Sequence, residues 1–131
     1  MQRVRITDFG VEIVFGGPLN REEAAELLAE LHRTLPPPDG RFGLLVDSRR
    51  SRAYSPGEQE IFKRGILLCI ERGMKRSVVV HDSYIAALQA KRLGKETGTL
   101  ASTRYIDARD HPNWRRLAQS WLLKGVDPEL S

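Results

Sequence analysis

Three arginines within four residues, Arg49, Arg50 and Arg52, followed by Tyr54 and Ser55, form the densest group of recognition side chains in this sequence. Guanidinium groups offer planar forks of N–H donors that match carboxylates and phosphates. The stretch Ser48–Ser55 is therefore suited to a phosphate or to the acidic face of a protein, and a solvated loop with ordinary arginine content is the competing reading. A second group, His81-Asp82-Ser83, contains the residue types of a hydrolytic triad. Residues adjacent in sequence diverge at a strand-helix junction and do not converge on one substrate atom, so no catalytic residue is assigned and Ser83 is read as a helix cap. His32, His81, His111 and Cys69 have no short metal-ligand spacing, and no metal is expected. Neither a G-x-G-x-x-G nor a G-K-S/T signature occurs, so no nucleotide or other cofactor is expected.

The elements flanking these groups place them together. Phe42-Gly43-Leu44-Leu45-Val46-Asp47 is continuously apolar up to its last residue, as a strand covered on both faces requires. Ser55-Pro56-Gly57-Glu58 carries helix-start signals, with Ser55 as N-cap and Glu58 completing a capping box. The arginine loop thus opens at a strand's carboxyl end, the edge where open α/β sheets bind their ligands. Ser77–His81 reads as a second buried strand beside the first, and Asp82 or Ser83 caps a short helix through Ala86, Ala87, Ala90 and Leu93 to Gly94.

Val4 and Ile6, then Val11, Ile13 and Phe15, alternate with polar residues around Asp8-Phe9-Gly10, predicting a hairpin with one face buried. Asn20 and Glu23 predict a capping box for a helix whose buried stripe is Ala24, Leu27, Leu28, Leu31 and Leu35. Pro36-Pro37-Pro38-Asp39-Gly40 is a stiff connector. The helix from Pro56 to Arg72 buries Ile61, Phe62, Gly65, Ile66 and Cys69, while Leu67 and Ile70 fall outside that stripe and suggest a second contact surface. Thr103–Asp107 is a weaker strand near the sheet edge. Asp110 as cap and Pro112 in the first turn open a last helix, on which Trp114, Leu117, Ala118 and Trp121 form the buried stripe and Gly125 the stop. The result is an α/β fold with one mixed sheet, an N-terminal strand hairpin and the order ββαβαβαβα, in a single domain spanning residues 1–131.

Bulk properties bound the function. The 131 residues carry 21 basic and 17 acidic side chains, an excess too small and too scattered to indicate nucleic acid. The longest apolar run, Ile66–Ile70, does not span a bilayer, and Met1-Gln2-Arg3-Val4-Arg5 leads into no apolar signal segment, so a cytoplasmic protein is expected. The lone Cys69 excludes an internal disulfide and reads as a buried thiol.

The opening strand pair, the strand ending Leu45-Val46-Asp47, the Ser-x-Gly at Ser55-Pro56-Gly57 and the strand Val78-Val79-Val80 together resemble the STAS domains, the anti-sigma-factor antagonist (SpoIIAA-like) family of bacteria. The closing segment Arg104-Tyr105-Ile106-Asp107, with Trp121-Leu122 on the helix after it, looks like that of the STAS-like group allied to the lipid-binding Sec14 fold. The resemblance implies a non-enzymatic, regulatory protein-binding module of the partner-switching type. It places phosphorylation at Ser55, although Tyr54 stands where antagonist members carry Asp and Pro56 separates Ser55 from Gly57. With the loop it implies a partner surface of Arg49, Arg50, Arg52, Tyr54, Ser55, His81, Asp82 and Ser83. The alternative it carries is a carrier or sensor of a small apolar or lipid ligand, with an enzyme third. A protein partner is expected, its identity open, and the oligomeric state is left open, a homo-oligomer included.

Overall fold

The sheet grows in chain order. In the computed structural model, which describes residues 3–38 and 40–130, five strands lie side by side as β1 (Arg3–Thr7), β2 (Gly10–Val14), β3 (Phe42–Ser48), β4 (Met74–His81) and β5 (Thr103–Asp107). β1 runs antiparallel to β2, and every other neighbouring pair is parallel. Helices α1 (Arg21–Thr34), α2 (Pro56–Glu71) and α3 (Tyr84–Thr97) connect the parallel strands, and α4 (Trp114–Lys124) follows the last. The order is ββαβαβαβα, an α/β domain with a mixed five-stranded sheet.

Sequential parallel strands joined by right-handed crossovers must send every connecting helix to the same face. α1 and α2 accordingly cover Val11, Ile13 and Leu44, with Leu27 and Leu31 of α1 and Cys69 of α2 completing one core. α4 alone covers the other face, packing Leu117, Ala118, Trp121 and Leu122 on Leu45, Val78, Val80 and Ile106. The Trp121 indole N–H donates to the Ser77 carbonyl at 2.9 Å, which pins α4 to the sheet as well as burying its stripe.

Helix starts follow local chemistry. Asn20 accepts from the Glu23 backbone N–H and Ser55 from that of Glu58, each reciprocated by the glutamate side chain, so both expected capping boxes form. Glu58 also accepts from the Leu19 backbone N–H at 3.2 Å and so ties the entry to α1 onto the start of α2. At Gly73, φ is +98°, and a Cβ there would lie 1.8 Å from the Gly40 carbonyl oxygen, so only glycine closes α2 against the proline connector. Asp39 of that connector lies outside the described residues, as do Met1 and Gln2.

Four expectations are corrected. The hairpin does not have one solvated face: Glu12 of β2 is 1% exposed because α4 covers that side, whereas Ile6 of the edge strand β1 is 74% exposed. β4 begins at Met74, three residues earlier than its apolar run suggests, because Phe42 pairs with Met74. α3 does not stop at Gly94 but runs to Thr97, with Gly98 taking the left-handed cap at φ 77°. Gly94 serves packing instead: a Cβ there would sit 2.6 Å from the Tyr105 hydroxyl. α4 starts at Trp114 with no side-chain cap, and Asp110 and Pro112 lie in the turn before it, where the Trp114 N–H bonds the His111 carbonyl. Trp121 is buried as expected; Trp114 is half-buried.

Candidate functional site

The carboxyl ends of β3 and β5 carry the same three-residue device. Asp47 accepts from the Arg49 backbone N–H at 3.2 Å and from its guanidinium through two bonds of 2.9 Å. Asp107 does the same with Arg109, at 3.0 Å to the backbone N–H and 3.0 and 2.7 Å to the guanidinium. Each carboxylate ends its strand with an Asx turn and fixes the following arginine in a bidentate fork, a geometry that leaves part of each guanidinium free to meet another acceptor. Arg109 holds the Asp107 carboxyl down to about 2.

Between the two clamps lies a groove of about 710 Å3, lined by Arg3, Arg49, Arg50 and Arg109 together with Asp47 and Asp82, and by the segment from Val14 to Gly16. Four guanidinium groups against two carboxylates leave it positive. Arg3 and Arg50 are exposed and have no hydrogen-bond or ion-pair partner among the described residues. The groove sits at the edge where parallel sheets bind their ligands, and its volume is in the range of small-molecule and peptide sites.

Beneath the groove, on the α4 side, one buried carboxylate, that of Glu12, supports it. Glu12 accepts two bonds of 3.1 Å from Arg115 and one of 3.2 Å from Arg5. Burial pushes the Glu12 carboxyl up, but the hydrogen bonds and charges of Arg115 and Arg5 outweigh it and hold the group below its ordinary range. The Trp114 ring has the Arg49 guanidinium 4.4 Å and the Arg115 guanidinium 4.8 Å from its centroid. Trp114 therefore links the Glu12–Arg115 pair to the Asp47–Arg49 clamp, and positions Arg49 from below.

The eight residues expected to form a partner surface divide into three groups. Arg49, Arg50 and Asp82 line the groove. Arg52, Ser55 and Ser83 lie at the neighbouring helix starts: the Ser83 hydroxyl donates to the Arg52 carbonyl at 2.8 Å and accepts from Ala86, while the exposed Ser55 caps α2. Tyr54 and His81 point inward. Tyr54 is buried, its hydroxyl donates to Ser48 at 2.8 Å, and its backbone is held by Gln89 of α3 and Gln59 of α2. Burial raises the Tyr54 pKa and lowers that of His81, whose Nδ1 is buried without a partner.

Ser48, His81 and Asp107 stand in register across three adjacent strands, a juxtaposition of triad types that sequence adjacency does not suggest. They form no hydrogen-bonded relay: the serine hydroxyl is engaged by Tyr54, the His81 Nδ1 has no partner, and Asp107 is clamped by Arg109. Among the described residues no three His, Cys, Asp or Glu side chains are grouped to hold a metal, and no helix is long and apolar enough to cross a membrane. Arg3 and Arg109 join the groove unforeseen. The repeated Asp-x-Arg at Asp47-Ser48-Arg49 and Asp107-Ala108-Arg109 was the available signal for the second of them. Comparison of the chain with protein-family models, with curated proteins and with solved structures finds no match.

Proposed function

We propose that this chain is a non-enzymatic, STAS-like protein-binding module whose partner presents an acidic surface to the carboxyl edge of the sheet. The observation that carries the reading is the positive groove that combines two clamped arginines, Arg49 and Arg109, with Arg3 and Arg50, which have no partner among the described residues. Clamped guanidinium groups lose little conformational freedom on binding, and unpaired ones need not break an internal ion pair to meet a carboxylate. The sheet order, the Ser55–Glu58 capping box and the closing α4 are in keeping with the STAS-like arrangement. In this reading Ser55 acts through its cap, and the recognition surface is the groove with the adjoining starts of α2 and α3.

The test is cross-linking in cells that express the protein, comparing wild type with the double variant Arg3→Glu/Arg50→Glu, which removes no ion pair among the described residues. An acidic protein cross-linked through the groove should be recovered with wild type, weaken with added salt, and be lost with the double variant. Recovery of the same proteins with both forms would refute the reading.

A further inference from the structure

We infer that the hollow between the sheet and helices α1, α2 and α3 is a binding site for a compact apolar molecule of about six heavy atoms. The two central strands show why. Leu45 of β3 and Val78 and Val80 of β4 face α4 and are 0% exposed. Their immediate neighbours Val46 and Val79 face the three helices from the middle of the same strands, where a close-packed domain is normally driest, yet both are only partly buried. What they face is a cavity of about 110 Å3, walled opposite by Phe62, Ile66 and Cys69 of α2 and Ala90 of α3. It is distinct from the groove and stands independently of the partner-binding reading.

The wall decides the chemistry of the occupant. Its hydroxyls are already engaged: Tyr54 donates to Ser48 at 2.8 Å, and Ser77 and Thr103 share a bond of 2.6 Å. The only buried side-chain polar atoms without partners among the described residues, Thr7 Oγ1 and His81 Nδ1, belong to residues outside the wall. Cys69, its thiol pushed up to about 12 by burial, is neutral. A water there would find few of the two to four polar partners it needs, whereas apolar cavities of ~150 Å3 stay dry and take up benzene or xenon. A hollow somewhat smaller than that suits one small ring or a branched alkane and is too small for a long acyl chain.

Benzene and xenon are the probes. In a methyl-labelled NMR titration of the whole chain, either should shift the Val46, Val79 and Ile66 resonances saturably, with a benzene Kd of about 1 mM or tighter. Val79→Phe fills the hollow from the sheet and Ala90→Leu from α3; each should weaken benzene binding at least ~10-fold, and the folded variant suffices if the other misfolds. Non-saturating shifts would overturn the site. So would shifts centred on the exposed α3 residues Tyr84, Ile85 and Leu88, binding that survives the filling variants, or a long-chain fatty acid that binds more tightly than benzene.

Discussion

Arg115→Met should destabilise this protein far more than Glu12→Leu, although the two substitutions break the same ion pair. The Glu12 side chain is 1% exposed, while Arg115 and Arg5 are 42% and 47% exposed. Removing Arg115 leaves a buried carboxylate with Arg5 as its one remaining hydrogen-bond partner among the described residues. Breaking a buried pair in this sense costs about 3–5 kcal/mol, and the surviving Arg5 bond brings the expectation to about 2–4 kcal/mol. Removing Glu12 instead frees two arginines that already reach water and substitutes an apolar group of similar size under α4. That change should cost within about 1 kcal/mol of zero. Urea unfolding of both single variants and of the double variant measures the difference, and the double variant should recover most of what Arg115→Met loses. The pH dependence gives a second check. In wild type the Glu12 carboxyl is held below its ordinary range, so its contribution is full above about pH 4.3, the unfolded value, and is lost as pH falls through the lower folded value. In Arg115→Met, burial acts with less opposition, so the deficit should be largest near neutrality and shrink as acid neutralises the carboxyl. If Glu12→Leu proves the costlier change, or the Arg115→Met deficit is flat with pH, desolvation of Glu12 is not what governs this network.

Ser55→Ala should cost about 0.5–2 kcal/mol and Ser55→Asp, itself a good cap, little; Glu58→Ala should exceed both, because it leaves the Ser55 and Leu19 backbone N–H groups unbonded. Chemical melts of the three variants order them. Gly65→Ala should stabilise by about 1 kcal/mol, since Gly65 is interior to α2 and the new methyl meets Leu31 at an ordinary 3.5 Å; a melting temperature ~3–6 °C higher is expected, and a lower one would mean α2 is not free to accept it. Burial lowers the His81 pKa, so as pH falls below about 6.5 the unfolded chain takes up a proton that the folded one refuses, and stability declines. His81→Leu should flatten that part of the stability-pH curve, and an unchanged slope between about pH 7 and 5 would reject the assignment.

The elements most legible in the sequence were those whose signals are local. Asn20 with Glu23 and Ser55 with Glu58 each fit within four residues, and both capping boxes form where the spacing places them. What failed depended on distant residues. Glu12 reads as the solvated position of an alternating strand, and it is buried because Arg115 arrives from 103 residues away. Gly94 reads as a helix stop, since nothing nearby reveals that Tyr105 of β5 presses against it. Half of the arginine groove was legible from the run Arg49 to Arg52, but Arg3 and Arg109 reach it only through the sheet order. The hollow was invisible, because a sequence pattern records which side chains face inward and not whether their volumes fill the space they enclose.

The one-sided placement of the connecting helices has a consequence during synthesis. Each of α1, α2 and α3 is made before the strand that follows it, so that face of the sheet can be covered as it grows. The opposite face waits. Leu45, Val78, Val80 and Ile106 have no cover until the chain has been extended from Asp107 through Lys124, about 1–3 s at ~5–20 residues per second. Without α4 that face of the sheet is bare and apolar, the kind of surface that recruits chaperones and proteases. The tryptophan-bearing segment thus closes the face that the connecting helices, all on the opposite side, do not reach.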